Sequence, residues 1–119
     1  MKTILALATA LFCSHAAAQT IINHGGHHRD QQYVSTAEQA AIYIGTNEVV
    51  FFEHCTFSGP GTAVFLLSEL PRVHFIDCIG YGNNTTYPFL ESLFAPTEIQ
   101  FKNCQLMYWP QLVQQAPAD

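Results

Sequence analysis

One short segment recurs three times in this chain, and each copy is centred on a cysteine. The three cysteines are Cys55, Cys78 and Cys104, separated by 23 and then 26 residues. The residues five, three and one position before each cysteine match between copies: Val50, Phe52 and His54; Val73, Phe75 and Asp77; Ile99, Phe101 and Asn103. Self-similarity at a period in the twenties is typical of a solenoid, in which every repeat forms one coil.

The spacing inside each copy indicates its local structure. A β-branched residue followed two positions later by phenylalanine predicts a strand with one buried face. Asp77 and Asn103 tolerate left-handed backbone, so the position before each cysteine suits a tight bend. Stacked coils place equivalent side chains about 4.8 Å apart. We therefore expect three internal ladders, made of Val50, Val73 and Ile99, of Phe52, Phe75 and Phe101, and of the small buried thiols Cys55, Cys78 and Cys104.

A second strand is predicted before each copy. The aligned stretches are residues 40–44, 63–67 and 89–94. This alignment places Glu91 where Ile42 and Phe65 stand in the other copies. Turn residues separate the two halves, so each coil reads as strand, turn, strand, bend and short third strand. The predicted fold class is all-β, a short parallel β-helix of about three coils over residues 40–109.

Two of the copies resemble the coil of a known superfamily. Val73-x-Phe75-x-Asp77-Cys78 and Ile99-x-Phe101-x-Asn103-Cys104 are similar to the hydrophobic-x-Phe-x-Asn-Cys coil of pectate-lyase-like proteins. The resemblance implies a right-handed parallel β-helix and a relationship to carbohydrate-active enzymes, which have many more coils. The alternative is a small antiparallel sandwich, which favours Asn-Gly or Asp-Gly hairpin turns, and the sequence has neither dipeptide.

The first 18 residues have the pattern of a cleavable signal peptide. Lys2 is followed by an apolar run over residues 4–13, and Ala16-x-Ala18 matches the small-residue cleavage pattern. That run is shorter than the roughly 20 residues that span a bilayer. We therefore expect a secreted or periplasmic protein that begins at Gln19 and has no membrane span in its mature part.

The charge of the expected mature chain disfavours several partners. Loss of Lys2 leaves three basic residues against nine acidic ones, a formal charge of −6 with histidine neutral. Nucleic acids and anionic membranes bind clusters of Lys and Arg. We therefore expect no nucleic-acid partner, and the same charge disfavours an acidic polysaccharide.

The two ends of the chain carry weaker patterns. Residues 19–39 are predicted to form a polar leader, in which Ser35-Thr36-Ala37-Glu38 matches a capping box and predicts a small helical cap. Residues 110–119 are predicted to be a disordered tail. Tyr108-Trp109-Pro110 is expected to cover the C-terminal end of the β-helix. Uncapped strands at either end would favour self-association.

Two sets of residues are candidates for chemistry. His24, His27 and His28 are a weak candidate metal site, although a flexible polar leader is the favoured explanation. His54 and Asp77 would be neighbours in adjacent coils, where a His–Asp pair can act as acid and base. Such a column is more often bonded to backbone. No catalytic set or cofactor motif is present, so no cofactor is expected.

The remaining candidates are exposed rings that suit sugar stacking or protein contact. They are Tyr43, Phe51, His74, Tyr81 and Tyr87. The leading interpretation is an exported, non-enzymatic β-helix module that binds a surface glycan or a protein. The alternatives are a minimal or remnant carbohydrate-active enzyme of the lyase or hydrolase type, and a self-assembling structural protein.

Overall fold

The computed structural model of this chain describes residues 19–83, 86–96 and 98–116, and the predicted signal peptide lies outside them. These residues form thirteen strands and no helix, so no helix in this part of the chain could span a membrane. The strands are β1 (Thr20–Ile22), β2 (Gly26–Arg29), β3 (Gln32–Val34), β4 (Ile42–Ile44), β5 (Val50–Glu53), β6 (Thr56–Gly59), β7 (Val64–Leu66), β8 (Arg72–Ile76), β9 (Ile79–Gly82), β10 (Leu90–Ser92), β11 (Glu98–Lys102), β12 (Gln105–Met107) and β13 (Val113–Gln115).

The strands stack into three parallel sheets, which confirms the predicted parallel β-solenoid. The first sheet has the order β1-β4-β7-β10-β13, and the other two have the orders β2-β5-β8-β11 and β3-β6-β9-β12 when read from the N-terminal end. Every coil therefore contributes one strand to each sheet. The described chain makes four such coils, and β13 begins a fifth turn, whereas about three coils were predicted.

The additional coil lies where a polar leader and a helical cap were expected. Strand β2 pairs in parallel with β5, so that Gly26 is level with Val50 and His28 with Phe52. The capping-box residues form a turn instead of a helix. The Thr36 hydroxyl accepts hydrogen bonds from the backbone N–H groups of Glu38 and Gln39, at 3.3 and 3.0 Å, and β4 follows almost at once.

The C-terminal stretch also differs from the expected disordered tail. Strand β13 pairs with β10, and before it the Trp109 ring packs edge-on against Phe89, with centroids 5.0 Å apart. Its indole N–H donates to the Gly61 carbonyl at 3.3 Å. A Cβ atom added to Gly80 would lie 2.9 Å from the Trp109 ring, and one added to Gly82 would lie 2.7 Å from it. These two glycines therefore provide the space that the tryptophan occupies.

The core is an aromatic stack along the solenoid axis. Phe52 and Phe75 stack with centroids 5.4 Å apart, and Phe75 and Phe101 stack at 5.1 Å. Phe57 and Phe89 pack edge-on against this stack. Of the nine predicted core residues, the six in coils 2 and 3 are fully buried, and the three in coil 4 are partly buried: Ile99, Phe101 and Cys104.

The cysteines form a ladder of free thiols. Each thiol donates to the carbonyl of the inward-facing aromatic residue one coil earlier, at 3.3 Å in all three cases: Cys55 to His28, Cys78 to Phe52, and Cys104 to Phe75. The contact with the Cys55 thiol, followed by burial, raises the pKa of Cys78, and the contact with Cys78 lowers the pKa of Cys55 to about 7. The Cys78 thiol therefore serves as a neutral donor that joins adjacent coils.

A left-handed residue precedes each cysteine. The φ angles are 53° at His54, 53° at Asp77 and 55° at Asn103. Asp30 takes the same conformation in the first coil, with φ of 56°. Asp and Asn populate this region because their short polar side chains bond locally. All four coils therefore bend at the same point.

The predicted alignment of the first upstream strand with the other two is wrong by one residue, whereas Phe65 and Glu91 are level as predicted. The structure pairs Ile42 with Val64 and Leu90, and it pairs Tyr43 with Phe65 and Glu91. Because successive side chains in a strand point to opposite faces, the slip exchanges inside and outside. Phe65 and Glu91 therefore lie on the outer face with Tyr43.

Candidate functional site

The outer face of the first sheet carries a small cleft that combines aromatic and acidic side chains. Its volume is about 150 Å³. We call it the aromatic cleft and define it by its lining residues: Thr36, Ala37, Glu38, Gln39, Ala40, Tyr43, Thr62, Phe65, Tyr87 and Glu91. Two of these residues are acidic and none is basic.

The floor of the aromatic cleft comes from equivalent positions of three successive coils. Tyr43, Phe65 and Glu91 are level with one another on β4, β7 and β10. The Tyr43 and Phe65 rings lie 5.9 Å apart and are tilted by 34°. The Ala40 N–H donates to the Tyr43 hydroxyl at 3.1 Å, which holds the ring in place.

The wall of the aromatic cleft is the turn that was expected to form a helix. This turn can approach the coil behind it because Gly61 has no side chain. A Cβ atom added to Gly61 would lie 2.1 Å from the Thr36 carbonyl oxygen. The turn thereby carries Glu38 to the same concavity as Glu91, although the two residues are in different coils.

Thr62 gives the aromatic cleft an unpartnered polar group. The residue is 6% exposed, and its hydroxyl has no hydrogen-bond partner in the part of the chain that the structure describes. Leaving a buried hydroxyl without a partner costs about 1–3 kcal/mol.

The outer face of the second sheet carries two of the predicted binding residues in a packed ladder. Phe51 stacks on His27 with centroids 4.4 Å apart and contacts His74 at 4.9 Å. The His74 side chain is 17% exposed, and its Nε2 lies 2.5 Å from the Glu98 carboxylate. Side chains of neighbouring coils therefore cover the Phe51 ring and much of the His74 side chain.

The five predicted binding residues lie on different faces of the solenoid. Tyr43 and Tyr87 share the aromatic cleft, and Phe51 and His74 share the ladder on the second sheet. Tyr81 lies on the third sheet, where it stacks on Tyr108 at 6.4 Å. The structure therefore brings together two of the five, at the aromatic cleft.

The predicted His–Asp pair forms a column along the bends. His54 lies 3.8 Å from Asp30 through Nδ1 and 3.4 Å from Asp77 through Nε2. A concavity of about 310 Å³ lies beside this column, lined also by Arg29 and Glu53, which form an ion pair. The His54 side chain is 65% exposed, so water competes for every one of these contacts. The column is a solvated charge network on bent backbone.

The three candidate metal ligands do not converge. His27 points outward onto Phe51, and its neighbour His28 points inward, where it stacks on Phe52 at 5.4 Å. Burial, together with the charges of His24 and His27, lowers the pKa of His28. Within the described ranges no three His, Cys, Asp or Glu residues are grouped to hold a metal ion. Strand alternation separates the set, because adjacent residues face opposite sides.

Comparison with protein-family models, with curated proteins and with solved structures found no match to this chain. The strand pairing itself establishes the parallel solenoid. The likeness to the pectate-lyase-like superfamily stays at the level of the short coil motif.

Sequence reasoning missed Phe65, Glu91, Glu38 and Thr62 as site residues. The one-residue slip placed the first two at inward positions. A pattern of apolar, variable, apolar around Tyr43 and again around Phe65 would have identified the correct alignment, since β4 and β7 are each buried at both ends and partly exposed in the middle. For Glu38 and Thr62 no such pattern existed, because their proximity depends on how the turn folds back.

Proposed function

We propose that this chain is an exported module that binds a neutral or amino-bearing glycan in the aromatic cleft. The observation that carries the proposal is the combination of aromatic rings and two carboxylates in one concavity. Aromatic faces pack against the C–H surface of a sugar ring, and polar groups beside them fix its hydroxyls. The cleft volume suits a single sugar unit of a longer chain.

The charges of the aromatic cleft narrow the ligand class. Glu38 and Glu91 would accept hydrogen bonds from hydroxyl or ammonium groups. An acidic sugar would place its carboxylate beside these two side chains, in a chain whose formal charge is already negative. Neutral polysaccharides and polymers of amino sugars are therefore favoured over acidic ones.

A titration with soluble oligosaccharides tests this proposal. Neutral, amino-bearing and acidic oligosaccharides would each be titrated into the exported chain by calorimetry. We expect Phe65→Ala to weaken binding of the favoured class by about tenfold or more, equivalent to about 1.4 kcal/mol. The matched control is Phe51→Ala, because Phe51 is also a partly exposed ring at the middle of an outer face. Equal loss in both variants, or binding of acidic oligosaccharides alone, would contradict the proposal.

A glycoside hydrolase is the second candidate, and one observation favours it. Two carboxylates line the aromatic cleft, and most glycosidases use a pair of Asp or Glu residues. Incubation with fluorescent polysaccharides, followed by gel filtration, separates binding from cleavage. If the original chain shifts the label to smaller size and the Glu91→Gln variant does not, the chain hydrolyses the polysaccharide and Glu91 takes part. A label that moves to larger size supports binding without chemistry.

A further inference from the structure

The C-terminal end of the solenoid presents an apolar surface with unpaired backbone. Strands β11, β12 and β13 are the last strands of the three sheets in the described chain. The ladder residues at this end pack against the core on one side only. They are Ile99, Phe101, Cys104, Leu106 and Val113, all partly exposed, whereas Val73, Phe75 and Cys78 one coil earlier are fully buried.

The backbone groups of β11 divide between its two edges in a definite way. The Glu98 N–H donates to the Pro71 carbonyl, and the Lys102 carbonyl accepts from Asp77. Both groups therefore point toward the third coil. Because alternate residues of a strand point their N–H and C=O groups to opposite edges, those of Ile99 and Phe101 face the open end.

This arrangement is self-complementary. If a second β11 approached antiparallel about a twofold axis at Gln100, Ile99 would lie opposite Phe101 of the partner subunit. Directly opposite residues that both face the shared edge exchange two hydrogen bonds, so the two such pairs would form four. The same register places Glu98 opposite Lys102 of the partner subunit, in the closely spaced kind of antiparallel pair.

We infer that two copies of this chain associate end to end through β11, antiparallel, about a twofold axis at Gln100. The association buries Ile99 and Phe101 against their counterparts and forms two ion pairs between Glu98 and Lys102. The association uses the β11 edge of both copies, so no β11 edge remains for a third copy. It therefore yields a dimer and not a filament. This inference does not depend on glycan binding.

The N-terminal end of a second copy fits the same surface less well. Continued stacking of β2 on β11 would keep the ladder register, in which Arg29 and Lys102 hold the same position. Two basic residues would then be adjacent. The same stacking would set Gly26 on Ile99 and leave its side chain without an apolar partner. Like charges directly opposite each other are destabilising, and the antiparallel arrangement replaces them with opposite charges.

Sedimentation equilibrium of the exported chain over a wide range of concentrations tests the inference. We expect a monomer–dimer equilibrium. Lys102→Glu should raise the dimer dissociation constant by about tenfold or more, because both ion pairs become repulsive. The charge-swapped double variant Glu98→Lys with Lys102→Glu should restore it to within about threefold of the original chain.

The control variant is Arg29→Glu, which makes the same change at the same ladder position of the N-terminal coil and should leave dimerisation unaltered. Because Glu98 also contacts His74, thermal melting would verify that each variant is folded. A monomer at all concentrations, a mass that grows without limit, or a dimer indifferent to Lys102→Glu would each overturn the inference.

Discussion

The two ends of the solenoid share one backbone and differ in the side chains placed on it. The bend residue has φ of 56° at Asp30 in the first coil and 55° at Asn103 in the fourth. The inward and thiol positions nevertheless differ completely: Gly26, His28 and Gln31 at one end, and Ile99, Phe101 and Cys104 at the other.

The geometry of a coil therefore depends little on the apolar ladder. The N-terminal coil keeps its shape although His28 stands in the aromatic stack. Polar side chains that water can solvate lie at that end of the core. The C-terminal coil keeps the apolar pattern of the middle coils, and among the described residues no complete coil follows it. An end with polar ladder residues discourages further strand addition, and an apolar end favours it.

The largest expected effect compares the middle of the aromatic stack with its C-terminal end. Phe75→Ala should destabilise the chain by about 3–5 kcal/mol, because the ring is fully buried between Phe52 and Phe101. Phe101→Ala should cost about half as much or less, since its ring is partly exposed. Urea unfolding monitored by circular dichroism would measure both.

His74→Ala is the control for that comparison. His74 is next to Phe75 in β8 but faces outward, so its loss should cost about 1 kcal/mol. Equal costs for His74→Ala and Phe75→Ala would show that the strand faces are assigned wrongly.

The next effect concerns Trp109, whose ring packs against Phe89 and lies beside Gly80 and Gly82. Gly82→Ala should destabilise by about 1–3 kcal/mol, because the new Cβ would meet the Tyr108 carbonyl oxygen and the Trp109 ring. Gly26→Ala places its Cβ in open space, but at φ of 147°. It should therefore report backbone cost alone. A larger loss for Gly26→Ala would contradict the steric account.

A smaller effect should appear in acid and should originate at the N-terminal end. The pKa of His28 in the folded chain is lowered from its ordinary value of 6.5, mainly by burial. The unfolded chain therefore binds the proton more readily, and the contribution of His28 to stability is complete above 6.5 and is lost as the pH falls below that value. His28→Phe should remove this part of the pH dependence and add about 1 kcal/mol of stability.

Unfolding midpoints in urea, measured from neutral to mildly acidic pH, would test this prediction. His54→Gln is the control, because the exposed His54 side chain lies outside the aromatic stack. If His28→Phe leaves the acid dependence unchanged, burial of His28 is not its source.

Glycine substitution at the bends should have the smallest effects, and these should be alike at both ends. Asp30→Gly and Asn103→Gly should each change stability by less than about 0.5 kcal/mol, because glycine adopts positive φ readily. Asp77→Val should cost about 1–2 kcal/mol, since a β-branched residue is strained there. Thermal melts would show whether the bend is equivalent in all coils; a glycine effect confined to one end would refute that equivalence.

Coils 2 to 4 were predictable because each repeats two inward apolar residues and a bend residue before a cysteine. The first coil was not, because Asp30 alone retains a recognisable residue of the motif, and His28 and Gln31 replace the phenylalanine and the cysteine. Side-chain pattern reveals a coil only where that coil keeps the apolar ladder, as the C-terminal coil does. The N-terminal coil departs from the pattern, and polar residues are tolerated there because one of its sides faces water.

The aromatic cleft was predictable only in part. Tyr43 and Tyr87 were identified as exposed rings, but the cleft around them required the correct register of β4 and the path of the turn at Thr36. The three-residue pattern of β4 matches that of β7 only when Tyr43 is taken as the outward residue. The approach of Glu38 to Glu91 depends on Gly61, whose missing side chain has no meaning until the two coils are placed together.

The thiol ladder has a consequence for how such a chain changes length. Each cysteine thiol contacts one carbonyl of the coil before it and one carbonyl two residues earlier in its own coil, and each coil offers the equivalent carbonyl to the next. Duplication of one such unit inside the stack would therefore leave every donor matched without any compensating substitution. Growth by copying is open to this architecture, and the two terminal coils are the only units whose composition must remain distinct.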